Sequence, residues 1–211
     1  MIFYKELNLP HPIINNKQFV KMHGLKKPGE YDTIVTDVQT YLHPDLLHAF
    51  ESINVKPQWF ASFGLLKRSV ASTYIHTDLT FDKEWVTIPF GINWELTAGV
   101  TEWSWWDVTG SEAVYPTLDI SEDSRSRSSD PFLLNGIHHE SRLNTDTSKF
   151  KLLNSYTVIP NQPVLFRTDV PHQINYNTTH KQRICMSPRF SISDIPSWDL
   201  ALKIFQPFFK K

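Results

Sequence analysis

The sequence predicts a mainly β domain, a double-sheet jelly roll with flanking N- and C-terminal helices. Three observations carry that expectation. Short runs of β-branched and aromatic residues recur between turn signals. Fourteen prolines are scattered along the 211 residues, which suits short strands better than long helices. The strand-like runs fall into two groups of four, as a jelly roll requires.

The first helix is expected after His43-Pro44, where Leu46, Leu47, Phe50 and Ile53 follow helical spacing and proline opens the first turn. Four strands then follow at Gln58 to Leu66, Val70 to His76, Glu84 to Trp94 and Val100 to Val108. Four more are expected at Leu152 to Ile159, Pro163 to Thr168, His172 to Tyr176 and Arg183 to Ile192. Turn chemistry separates the later ones: Pro160-Asn161-Gln162, Asp169-Val170-Pro171 and Asn177-Thr178-Thr179. The second helix begins at Ser197, an N-cap residue type, carries Trp198, Ala201, Leu202 and Phe205, and should end or kink at Pro207. Residues 109 to 151 differ in character, with the polar run Ser121 to Asp130 at their centre. A loop this long inside a domain reads either as a lid or as a surface excursion. The strands after it complete the sheets before it, so residues 1–211 are read as one domain with its β core at about 58–192.

Composition narrows the function. Forty per cent hydrophobic residues, with seven Trp and fourteen Phe, suffice for a core or a lined pocket. A net charge of -1 gives no nucleic-acid footprint, and Lys17, Lys21, Lys26 and Lys27 read as a solvated stretch. Cys185 is the single cysteine, which excludes an internal disulfide and an intrachain thiolate zinc cluster. No apolar run approaches the roughly 18 residues of a membrane span, and the first residues lack an apolar signal core. A soluble, cytoplasmic protein is expected; nothing speaks to oligomeric state.

The chemistry centres on His76-Thr77-Asp78. Side chains alternate along a strand, so His76 and Asp78 face the same way. A histidine, a carboxylate two residues on and a distant histidine can occupy one face of an octahedral metal and leave three positions open. His172 is the candidate third ligand, because Pro171 ends a turn there and a strand begins. Arg183 opens the next strand and offers a planar fork for a carboxylate. Tyr74 shares a strand face with His76, and Asn93 ends an apolar strand; each is a candidate cosubstrate contact or a structural residue. Trp103 and Trp105 share one strand face opposite Trp106 and read as core packing. His138-His139 reads as loop surface.

The order strand–His76-x-Asp78, then His172, then Arg183 resembles the 2-oxoglutarate/Fe(II)-dependent dioxygenase superfamily, in particular its small stand-alone bacterial and phage-type members. The resemblance covers roughly residues 58 to 192, which it casts as a double-stranded β-helix. It implies that His76, Asp78 and His172 hold Fe(II), that Arg183 binds 2-oxoglutarate, and that O2 oxidises an unidentified substrate as 2-oxoglutarate is decarboxylated. The carboxylate in His-x-Asp separates the chain from the halogenases of that group, which lack it. Many members carry Arg-x-Ser where this chain has Arg183-Ile184-Cys185, and cysteine is the poorer donor. A literal Arg-x-Ser stands at Arg189-Phe190-Ser191, so Arg189 is the second candidate anchor. The alternatives from other classes are a jelly-roll binding protein without catalysis and a cupin-like metalloprotein that does not use 2-oxoglutarate.

Overall fold

Pro89 has no backbone N–H to give to a sheet, and the run expected over 84–94 breaks there. In the computed structural model, Glu84–Thr87 and Phe90–Glu95 are separate strands in different sheets. The structure describes residues 1–15, 31–36, 42–66, 75–82, 84–97, 101–109, 139–143, 147–176 and 182–211. Their strands are β1 (Tyr4–Glu6), β2 (Tyr31–Thr36), β3 (Trp59–Leu66), β4 (Ile75–Asp82), β5 (Glu84–Thr87), β6 (Phe90–Glu95), β7 (Thr101–Asp107), β8 (His139–Leu143), β9 (Lys151–Thr157), β10 (Val164–Arg167), β11 (His172–Tyr176) and β12 (Gln182–Arg189).

These strands form two antiparallel sheets, consistent with a β-sandwich. One runs in the order β1-β10-β6-β12-β3-β2. The other runs β5-β4-β11-β7-β9, with β8 also paired to β4. Three strands were not expected: β1, β2 and β8. The last lies within the 109–151 segment and pairs with β4, setting Arg142 opposite His76 and Glu140 opposite Asp78. Most of the strand expected at Val70 to His76 lies outside the described residues; its described part, β4, runs on to Asp82 and carries both His76 and Asp78.

Alternation assigns each face of the first sheet. Phe90, Ile92 and Trp94 of β6, Leu165 of β10, and Ile184 and Met186 of β12 point one way, into a core shared with the helices. Helix α1 (Pro44–Ser52) contributes Leu46 and Phe50 to that core; its N-cap is His43, whose side chain accepts from the Asp45 N–H. Helix α2 (Trp198–Phe205) starts where Ser197 accepts from the Leu200 N–H, and buries Trp198, Ala201 and Phe205. Pro207 falls in the tight turn Gln206–Phe208 that replaces the helix. Among the described residues no helix is long and apolar enough to cross a membrane.

The other face of β6 and β12 carries Gly91, Asn93 and Glu95, and Arg183, Cys185 and Ser187. On that same face, Val164 and Phe166 of β10 meet Trp103, Trp105 and Tyr156 of the second sheet in a smaller cluster with Phe3. The interior between the sheets is therefore aromatic on one side and polar on the other. Gly91 is opposite Phe166 in register, and a Cβ there would sit 2.6 Å from the Phe166 ring. Only glycine admits that approach.

Candidate metal centre

The turn before β11 is pinned by its neighbours. Arg167 grips Asp169 through two bonds, Nε–Oδ1 at 2.6 Å and Nη2–Oδ2 at 3.0 Å. The Thr168 hydroxyl donates to the Ile88 carbonyl at 2.6 Å. The Asp78 N–H donates to the Thr168 carbonyl at 3.1 Å, and the Trp105 indole N–H to the Arg167 carbonyl at 2.8 Å. Chain direction into His172 is thus fixed by β4, β7 and the 88–89 crossing together.

His172 is opposite His76 in the β11–β4 register and opposite Trp105 in the β11–β7 register. Its Nδ1–H donates to the Val170 carbonyl at 3.0 Å. A carbonyl can only accept, so the proton is on Nδ1 and the Nε2 lone pair is left for a metal. That Nε2 lies 3.7 Å from Asp78 Oδ1, and His76 Nε2 also lies 3.7 Å from the same oxygen. The three ligand atoms fall within 4.8 Å of one another. Ligands about 2.1 Å from a metal and at right angles to one another sit about 3 Å apart, so sub-ångström side-chain adjustments would close the set. His76 is 3 % and His172 1 % exposed, while Asp78 keeps some solvent access.

Burial pushes the His172 pKa down to about 4; neighbouring His76 adds to the shift, and Asp78 and the Val170 carbonyl oppose it. His172 is therefore neutral near pH 7, the form that ligates metals. The residues present fit a divalent cation bound by two imidazoles and one carboxylate. Trp103 stacks on His172, with ring centroids 5.6 Å apart, and packs on Phe166 at 4.2 Å.

Trp103 also lines a small cavity together with Asn93, Glu95, Arg183, Trp105 and Tyr156. Arg183 is buried there rather than on a surface, and its Nε donates to Glu95 Oε2 at 3.1 Å. Asn93 Oδ1 is buried without a hydrogen-bond partner among the described residues. Arg189 stands at the far end of β12, opposite Trp59 of β3. Tyr74 and His138 lie outside the described residues, and His139 opens β8.

The structure thus gathers His76, Asp78 and His172 at one point, and sets Asn93 and Arg183 in the neighbouring pocket. The sequence reading missed Glu95 and Thr101. Their only signal was polarity inside apolar strands, and each is almost fully buried at 1 % and 0 % exposed. No protein-family model matches this chain, and no curated protein matches it either.

Proposed function

We propose that the protein is a non-haem Fe(II) oxygenase that couples oxidative decarboxylation of 2-oxoglutarate to hydroxylation of a substrate. The observation that carries this reading is the convergence of His76, Asp78 and His172, with both imidazole Nε2 atoms 3.7 Å from one carboxylate oxygen. Two imidazoles and one carboxylate on one face favour Fe(II) and leave positions for a chelating cosubstrate and O2. Bound there, iron would activate O2 for oxidation of 2-oxoglutarate and then of a C–H bond.

The strand pairing supports the jelly-roll reading. Leaving aside β1, β2, β5 and β8, the first strand pairs with the last, β3 with β12, and the nesting continues as β4 with β11, β6 with β10 and β7 with β9. The two helices then lie on either side of that core in sequence. In this reading His76, Asp78 and His172 belong to neighbouring strands of one sheet.

In this reading the protein supplies the metal ligands and an anchor for the cosubstrate. Asp78 contributes the negative charge that offsets part of the metal's, and the Val170 carbonyl orients His172. Arg183 would bind the far carboxylate of 2-oxoglutarate. Its Nε is 3.2 Å from Thr101 Oγ1, four residues along β7 from Trp105, the register partner of His172. Four residues of strand span about 13 Å. That suits a five-carbon dicarboxylate reaching from metal to arginine, and it is too far for Arg183 to touch the metal's own ligands. Arg189, six residues from Arg183 toward the other end of β12, is the weaker candidate for that role. Asn93, on the strand beside β12, would contact the cosubstrate between its ends.

Anaerobic addition of Fe(II) and 2-oxoglutarate tests the reading. A weak visible charge-transfer band and slow succinate release in air are expected. Metal binding without either would sink the oxygenase reading and leave the cupin-like one; no metal binding at all would leave a non-catalytic binding protein.

A further inference from the structure

We infer that Trp103, Trp105, Tyr4 and Tyr156 form a one-electron relay that carries oxidising equivalents from the ligand His172 to the protein surface, an inference that rests on the oxidative reading of the metal site. The first ring of the series is Trp103, which stacks on the His172 imidazole at 5.6 Å between centroids. Two ways lead on from it to Tyr156. The direct one crosses β7 to β9, where Trp103 and Tyr156 are register partners. The other passes Trp105 at 6.5 Å, then Tyr4 at 6.1 Å, then Tyr156 at 4.3 Å. Trp103, Trp105 and Tyr156 are buried, and Tyr4 is partly exposed.

Ring spacings of this size are ordinary in an aromatic core. What distinguishes this series is its chemistry and its two ends. Indole and phenol give up an electron far more readily than phenyl, so Phe3 and Phe166, which touch the same rings, do not extend it. Electron transfer falls off steeply with distance, and no step in the series is longer than one ring contact. The far end is built to hold the charge. Oxidised phenol is a strong acid and settles as a neutral radical only where a base takes its proton. The Tyr156 hydroxyl already donates to Glu6 Oε1 at 3.2 Å, and Glu6 Oε2 meets the exposed Lys210 ammonium at 3.4 Å. The Trp105 indole N–H, by contrast, donates to the Arg167 carbonyl. A carbonyl is too weak a base to keep that proton, so Trp105 passes the charge on.

The relay is needed when O2 is activated beside His172 with no substrate in place, because the neighbouring side chains are then the next target. Tyr156 gives one electron, which reduces the oxidised metal centre by one unit. Its O–H bond breaks and the proton goes to Glu6. A dissolved one-electron donor of the ascorbate class, meeting the radical at partly exposed Tyr4, restores the phenol as the proton returns. A site that excludes competing reactions in this way protects its own ligands.

The test uses the full chain loaded with Fe(II) and given 2-oxoglutarate and O2 without further substrate. Freeze-quenched samples are read by EPR, with ring-deuterated tyrosine to assign the signal, and peptide mapping locates oxidised side chains. The wild type is expected to give a tyrosyl radical. Tyr156→Phe should lower it several-fold per succinate released and raise oxidation of Trp103 and of the β4 and β11 peptides several-fold. Glu6→Gln keeps every ring and removes only the proton acceptor; the radical should again fall several-fold, which a packing role for these rings would not produce. Succinate release with no tyrosyl radical in the wild type, or a radical that either variant leaves unmoved, overturns this inference alone. Absence of succinate release overturns the functional reading instead. Hydrogen peroxide added to the Fe(II)-loaded protein then decides the relay: a tyrosyl radical that falls in both variants sustains it, and any other result overturns it.

Discussion

At the scale of single residues, the Val170 carbonyl decides which nitrogen of His172 faces Asp78, because its hydrogen bond takes the Nδ1 proton. Loss of a group that merely orients a ligand costs about 10–100-fold in metal affinity, and loss of a ligand costs more. Asp78→Asn keeps the size of the side chain and removes its charge. Fe(II) or Co(II) affinity should fall by more than about 100-fold while the melting temperature of the chelated protein stays near that of the wild type; a titration with unchanged affinity would remove Asp78 from the site. Cys185 illustrates the opposite case, a residue whose chemistry is suppressed. It is 2 % exposed, and burial raises its thiol pKa. A thiol reagent at pH 8 should leave the native protein unmodified and label one cysteine after denaturation. The ligands were legible in the sequence because a period-two pair in a strand marks a shared face without knowledge of the fold. Glu95 was not, since its meaning comes from an arginine 88 residues away.

At the scale of elements, boundaries follow backbone chemistry and pairing follows the neighbours. Most of the eight strands expected from composition recur within a few residues, and the one long run splits at Pro89 for want of an N–H. Strand β1 has only three residues, too few for alternation to register, and β8 sits in a polar stretch with no apolar face to announce it. Close packing between sheets gives a direct test. Gly91→Ala places a methyl group 2.6 Å from the Phe166 ring, and overpacking of that kind costs about 1–3 kcal/mol. A lower melting temperature is expected, with partial recovery in Gly91→Ala/Phe166→Leu. A second test concerns the join of β1 to β9, where the Tyr156 hydroxyl donates to Glu6 Oε1 at 3.2 Å. Burial, then the nearby Glu6 charge, raises the Tyr156 pKa above its ordinary value of 10.0. The unfolded chain releases that proton near pH 10 and the folded chain keeps it, so stability from this group is present below pH 10 and is lost as pH rises beyond it. Tyr156→Phe should flatten the decline in melting temperature above pH 10 and leave the slope near neutrality unchanged.

At the scale of the whole molecule, the metal site joins two neighbouring strands of the second sheet, β4 and β11. Strand β11 lies between β7 and β4, with His172 opposite Trp105 on one side and His76 on the other. Strand β4 in turn carries β5 and β8. An ion held by His76 and Asp78 on β4 and by His172 on β11 would therefore cross-link the two strands. Binding to the native state alone stabilises by about 2.7 kcal/mol at a free metal concentration 100 times the dissociation constant. For a chain of this size that corresponds to a melting shift of about 5–10 °C. Chelation should lower the melting temperature by that amount, and His76→Ala should melt at one temperature with or without metal. The loss should also be local. Amide exchange should accelerate on removal of the metal in β4 and β5, while the core strands β6, β10 and β12, packed under α1 and α2, keep their protection. A uniform acceleration across both sheets would mean that the ion does not staple this seam. No change on chelation would mean that the three ligands hold no ion in the folded protein.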